Sequence, residues 1–264
     1  MVFLIFNERT SNLSNLMIKK LDQGKLRFQN GLEFEGRSFG FFNSVAGEVV
    51  FSTGMVGYPE SLTDPSYKGQ ILIFTYPLIG NYGVFNKKYW ESEGIKVSGV
   101  IVSSYIGTPS HYQSTMSLGK WLKQEKIPGL EVKDTRRLTQ LIRKKGTMLG
   151  RIELKGKVEF EDPNIRNLVA EVSTSKVIKY GRGKKKVVLI DCGVKRNIIN
   201  SLVKRGVQVI RVPWNYDVSQ LNQIDGVVIS NGPGDPKMNI KTITVKPSKI
   251  IIMVDFLILI CIKI

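Results

Sequence analysis

The stretch DGVVISNGPGDP, Asp225 to Pro236, runs an apolar strand straight into a loop with two glycines. Gly232 and Gly234 let backbone amides approach a ligand with no Cβ in the way, and Pro233 and Pro236 stiffen the loop around them. Amides so exposed suit an oxyanion or a carboxylate. A tight turn that only links strand to helix would satisfy the same residues, and the local chemistry leaves both readings open.

Side chains that could react with such a ligand are few. The chain has two cysteines, Cys192 in IDCGV and Cys261 in LILICIKI, and one histidine, His111 in GTPSHYQS. A cysteine nucleophile is commonly activated by a histidine base that a carboxylate orients, and one seat for such a nucleophile is a glycine-flanked turn from strand to helix. Neither cysteine stands in a Gly-X-Cys-X-Gly setting. Cys192 reads as a core thiol and His111 as an exposed loop histidine. Ser66, in DPSYKGQ, reads locally as a turn serine following Pro65.

The elements that must hold these residues fall into two grammars. From Lys25 the pattern is short strands and glycine turns. KLRFQNGLEFEG carries two β-rich runs around Asn30-Gly31, a strong hairpin signal, and apolar runs follow at 48–51, 71–75 and 97–102. Two helices punctuate them. One runs from about Ser117 to Lys126; the other opens on Asp134 as N-cap, places Leu138, Leu141 and Ile142 on one face and stops at Gly146. This β-rich mixed N-terminal domain is expected over 25–155. Residues 156–186, ending in GRGKKK, read as a connecting segment.

Beyond it, VVLID, VQVIRV and GVVIS are continuous apolar strands, and VKRNIINSLVKRG is a helix with Ile198, Ile199, Leu202 and Val203 inward. Buried strands alternating with a helix imply a parallel sheet, the start of a doubly wound domain, so the fold class is α/β. Such sheets bind ligands in loops at strand carboxyl ends, where NGPGDP lies.

Thirty-nine Lys and Arg against 22 Asp and Glu give a net charge of +17, which permits an anionic partner. The charge is scattered and no zinc-finger, RRM or basic-zipper pattern accompanies it, so nucleic acid is not the expected partner. Two cysteines without a framework favour the cytoplasm. The opening MVFLIF lacks a basic flank, and the 13-residue IIIMVDFLILICI is interrupted by Asp255, so neither end reads as a membrane anchor.

Four motifs occur in order: GEVVFSTGMVGYPESLTDPSYKGQILIFTYPLIGNYGV (47–84), DTRRLTQLIRKKGTMLGRI (134–152), DCGVKRNIINSLVKRG (191–206) and SNGPGDP (230–236). Together they resemble the small, glutamine-hydrolysing subunit of carbamoyl phosphate synthetase, over roughly residues 25 to 236. The resemblance implies an N-terminal domain that docks on a large synthetase subunit and a class I glutamine amidotransferase domain that begins at 187. It implies ammonia release from L-glutamine and its delivery to the large subunit, for carbamoyl phosphate used in arginine and pyrimidine synthesis. Glutamine binding falls to Ser66, Gly232 and Gly234, with the Gly232 N–H on the oxyanion. No cofactor is implied in this chain; ATP and Mg or Mn belong to the large subunit.

The same resemblance calls for a cysteine elbow and a His-Glu pair, which are missing. Cys261 lies 27 residues after Gly234, near the family's nucleophile spacing, but without glycines to bend the strand. The tail 237–264 departs from the pattern, as a truncation or frameshift would make it, and residues 1–24 read as an extension with Met17 as an alternative start. On this reading the polypeptide has no glutaminase activity of its own, and a non-catalytic docking remnant is the alternative.

Overall fold

The computed structural model describes residues 22–221, 223–239, 250–252 and 260–261. They form two compact units, each drawing on more than one stretch of chain. One comprises residues 22–58, 70–86 and 98–161; the other comprises 59–69, 87–97 and 162 onward.

The first unit is a closed barrel. Strands β1 (Gln23–Phe28) and β2 (Glu33–Ser38) form the hairpin expected at Asn30-Gly31, with Gly31 at φ 85°. Around the barrel the order is β1, β2, β8 (Gly129–Glu131), β6 (Gly99–Val102), β4 (Gln70–Phe74), β3 (Val45–Ser52) and β9 (Met148–Glu153), closed by β9 on β1. The neighbours β3–β4, β4–β6 and β6–β8 are parallel and the rest antiparallel. Closure leaves none of these seven strands with an unpaired edge. Their inward residues, among them Leu26, Phe28, Val49, Ile71, Ile101 and Ile152, form one buried cluster. Burying each such side chain contributes roughly 1.5–3 kcal/mol.

Outside the barrel strands, β5 (Leu78–Ile79) pairs with β7 (Ser104–Tyr105). Helix α1 (Tyr58–Thr63) was not anticipated from the sequence: six residues with a proline in the first turn give too short a period to recognise. Helix α2 (Leu118–Gln124) lies within the expected 117–126, and α3 (Thr135–Lys145) stands between its expected caps, Asp134 and Gly146. Ser117 accepts from Lys120 N, Asp134 accepts from Arg137 N, and α3 ends at Gly146 with φ 82°. Leu138 and Ile142 of α3 join the barrel cluster.

The second unit is an open sheet in the order β10 (Ile178–Tyr180), β12 (Val207–Pro213), β11 (Lys185–Asp191), β13 (Gly226–Ile229), β14 (Ile250–Ile252), β15 (Ile260–Cys261). The four inner strands are parallel and the two edge strands antiparallel to their neighbours. The continuous apolar run of β11 has its cause here. Val187 and Leu189 face the cluster that receives Ile198, Ile199, Leu202 and Val203 of α5 (Arg196–Lys204), whereas Val188 and Ile190 face a second cluster with Val169, Ile210 and Val227. Both faces are covered, so alternation disappears from the sequence. The segment 156–186 contains a 3-10 turn, helix α4 (Leu168–Val172) and strand β10, with Leu168 and Val169 buried. Among the described residues no helix is long and apolar enough to cross a membrane.

Candidate functional site

Strands β11 and β13 are parallel neighbours with Ile190 opposite Ile229, so the loops after them leave the sheet side by side. They are tied at once: Ser230 N donates to Ile190 O at 3.1 Å, and Cys192 N donates to Ser230 Oγ at 2.9 Å. Ser230 Oγ in turn donates to Asn231 O at 2.8 Å. A Cβ built on Gly232 would collide with the Cys192 carbonyl oxygen, and Gly234 takes φ 79°. Both positions therefore require glycine, the first for close approach and the second for left-handed backbone. The N–H groups of Gly232 and Gly234 make no hydrogen bond among the described residues.

Asp191 anchors the first loop. It is fully buried; Oδ1 accepts from Gly193 N at 3.0 Å and Val194 N at 2.9 Å, and Oδ2 accepts from Thr174 N at 2.6 Å. Arg211, on β12, completes the carboxylate with Nε at 2.9 Å and Nη2 at 2.6 Å. Burial pulls the guanidinium pKa down, but the Asp191 charge and the hydrogen bonds that Arg211 makes to Tyr180 and Asp191 outweigh it and hold Arg211 above its ordinary value.

The third wall of this unit comes from early sequence. Asp64 caps the 3-10 turn Pro65–Tyr67, its Oδ1 accepting from Ser66 N at 3.0 Å, and its Oδ2 pairs with Lys195 Nζ at 2.7 Å. Burial works against the Lys195 charge, yet Asp64, then Glu91 and Tyr67, raise its pKa above the usual lysine value. Burial also raises the Tyr67 phenol, helped by Asp64 and opposed by Lys195. Across from the turn, Asn231 Nδ2 donates to Ser66 Oγ at 2.7 Å, joining residues 165 apart in sequence. Asn231 Oδ1 is buried with no donor among the described residues.

Ser66, Gly232 and Gly234 thus lie in one unit, around one hydrogen-bonded pair of loops. Cys192 is buried behind Gly232, in the core position read from its context. His111 is exposed in the barrel unit, its Nδ1 accepting from Gln113 N at 3.1 Å and its ring between Phe85 and Tyr112. Cys261 lies on β15 opposite Ile251; its side chain, Met17 and most of the tail from 240 lie outside the described residues. Sequence reading passed over Asp64, Asp191, Lys195 and Asn231. The one available signal was Asp64 before Pro-Ser, an Asx-cap pattern. Among the described residues no group of three or more His, Cys, Asp or Glu side chains could hold a metal ion.

Residues 26–152 match the family model "Carbamoyl-phosphate synthase small chain, CPSase domain", and residues 188–252 match "Glutamine amidotransferase class-I". The chain belongs to the carbamoyl-phosphate synthase small-chain family. The arginine-specific small chain of carbamoyl phosphate synthase from Saccharomyces cerevisiae is 47% identical over 232 residues, covering 82% of this chain and 56% of the yeast protein. The mitochondrial carbamoyl-phosphate synthase [ammonia] of Mus musculus is 50% identical over 234 residues, covering 84% of this chain and 16% of the mouse protein. The multifunctional protein pyr1-3 of Dictyostelium discoideum is 47% identical over 244 residues, 11% of its length. This small-chain family member therefore spans about half of the yeast small chain and a small part of the mouse and Dictyostelium proteins.

Proposed function

We propose that the loop pair 191–195 and 230–236, with the turn at Ser66, is the glutamine site of a carbamoyl-phosphate synthase small chain. Its partner is then a large synthetase subunit that takes up the released ammonia and carries the ATP and Mg or Mn. The observation that carries this reading is the hydrogen bond from Asn231 Nδ2 to Ser66 Oγ, which assembles the proposed glutamine-binding residues from distant sequence. The unpaired N–H groups of Gly232 and Gly234 supply donors for an oxyanion, a kind of contact worth about 2.7–4 kcal/mol to a transition state. Asn231 Oδ1 is left to accept from a substrate amide.

One of the relatives is named for ammonia and another as an arginine-specific small chain. A docking role without glutaminase chemistry is the second reading, and it is favoured by the residue inventory. Between Met1 and Ile264 there is no Gly-X-Cys-X-Gly and a single histidine, His111, which belongs to the barrel unit. We place residues 1–264 by themselves in this second class, binding glutamine and the large subunit but not hydrolysing glutamine, in the cytoplasm.

The test is to titrate L-glutamine into the chain by calorimetry and to assay glutamate release alone and with a large subunit. Saturable binding weakened about tenfold by Ser66→Ala, without glutamate release, is expected. Glutamate release by the chain alone would overturn the second reading, and binding indifferent to Ser66→Ala would overturn the site.

A further inference from the structure

A cavity in the open-sheet unit, of about 190 Å³, contains neither Ser66 nor Gly232 nor Gly234 in its lining. Val172, Val194 and Ile199 are among its apolar lining residues. The polar groups on its rim carry both signs of charge. Lys96 and Glu93 each line it and neither makes a side-chain hydrogen bond or an ion pair, with each other or with any other described residue. Asn200, on the exposed side of α5, has an unengaged amide there as well. The other charged lining groups are occupied: Arg211 by Asp191, Arg196 through Nη1 to Lys87 O at 2.7 Å, and Glu91 through Oε2 to Asn197 N at 2.9 Å.

One uncommitted cation and one uncommitted anion in a cavity of mixed polar and apolar lining do not suit a polyanion, which would meet Glu93, nor an apolar ligand, which would leave both charges without a partner. They suit a small molecule with a carboxylate and an ammonium of its own. We propose that this cavity binds a small free amino acid, carboxylate to Lys96 and Asn200, ammonium to Glu93. The assignment is independent of the glutamine site proposed above, since it uses none of that site's residues.

The probe is L-serine, with glycine, acetate and ethylamine as controls, titrated into the full chain and followed by calorimetry and by backbone NMR shifts. Saturable L-serine binding is expected, weakened at least tenfold by Lys96→Met and by Glu93→Gln and unchanged by Ser66→Ala. Acetate and ethylamine, each with half the charge pattern, bind at least tenfold more weakly than glycine. Lys96 and Glu93 are at the surface of the unit, so unchanged melting temperatures will show that the variants are folded. Three results would overturn the proposal: no saturation by 50-fold molar excess at millimolar protein, binding indifferent to both substitutions, or acetate equal to glycine. Loss of L-serine binding in Ser66→Ala would instead assign it to the glutamine site. L-serine binding without any glutamine binding would leave this cavity standing and remove the other.

Discussion

The barrel unit and the open-sheet unit spend their burial differently. The barrel closes on itself, and its described interior is a cluster of Leu, Ile, Val and Phe in which Arg151 and Thr135 are the buried polar exceptions. The open sheet buries Thr63, Asp64, Ser92, Asp191 and Ser230, every one of them on a loop or turn, at a helix end or at a strand terminus. The strands of a closed barrel satisfy their backbone with their own ladder, and side chains such as Ser44 serve only the loops beyond it. Loops leaving a parallel sheet have orphan amides, and buried carboxylates and hydroxyls supply the missing acceptors. Polar burial therefore marks where this molecule has been shaped around loops, and apolar burial where it has only been made to fold.

Substitutions can break that contrast or sharpen it. The largest effect is expected from Asp191→Ala, which removes acceptors for three backbone amides and leaves the half-buried Arg211 without its carboxylate. About 4 kcal/mol should be lost, with hydrogen-exchange protection falling first at the ends of β11 and β12. A loss below about 1 kcal/mol would mean that the polar cluster is decoration and the contrast false. Leu26→Ala, fully buried in the barrel, should cost about 3 kcal/mol in urea unfolding by leaving a cavity, without altering glutamine or L-serine binding. Gly232→Ala adds no polar defect but drives a Cβ onto the Cys192 carbonyl. About 2 kcal/mol of destabilisation and loss of glutamine binding are expected together, whereas a stable variant that still binds would show that the loops are not held as described.

The smallest effect concerns Glu60 on α1. Burial raises its pKa, its own backbone hydrogen bond partly offsets this, and the Glu91 charge adds to the rise. A carboxyl whose folded pKa is raised contributes stability below its unfolded value, and that contribution is lost as pH rises through the folded value. At pH 7 the ionised side chain is thus a net cost, so Glu60→Gln should raise the unfolding free energy slightly, by less than about 1 kcal/mol for a group still partly open to solvent. The gain should vanish below about pH 4, where Glu60 is protonated in both states. A gain that persisted there would point to packing instead of charge.

Much of the fold follows from local rules in the sequence. Asn30-Gly31 fixes the hairpin because Gly31 takes the positive φ of the turn without strain and the Asn30 side chain accepts from Leu32 N. Asp134 and Gly146 fix both ends of α3 because capping is decided within four residues. The apolar runs at 187–191 and 226–229 declare a sheet covered on both faces, and the two glycines at 232 and 234 declare a loop where backbone must come close to something. What could not be read locally are the partners. Nothing around Ser66 says that the turn Pro65–Tyr67 belongs with residues beyond 162, or that Asn231 will donate to it from 165 positions away. Asp191 looks like any strand-ending aspartate until Thr174, Val194 and Arg211 converge on it. Sequence determined the elements because their signals act over a single turn of backbone. Tertiary structure decided the site because hydrogen bonds between distant loops leave no periodic trace in the chain that makes them.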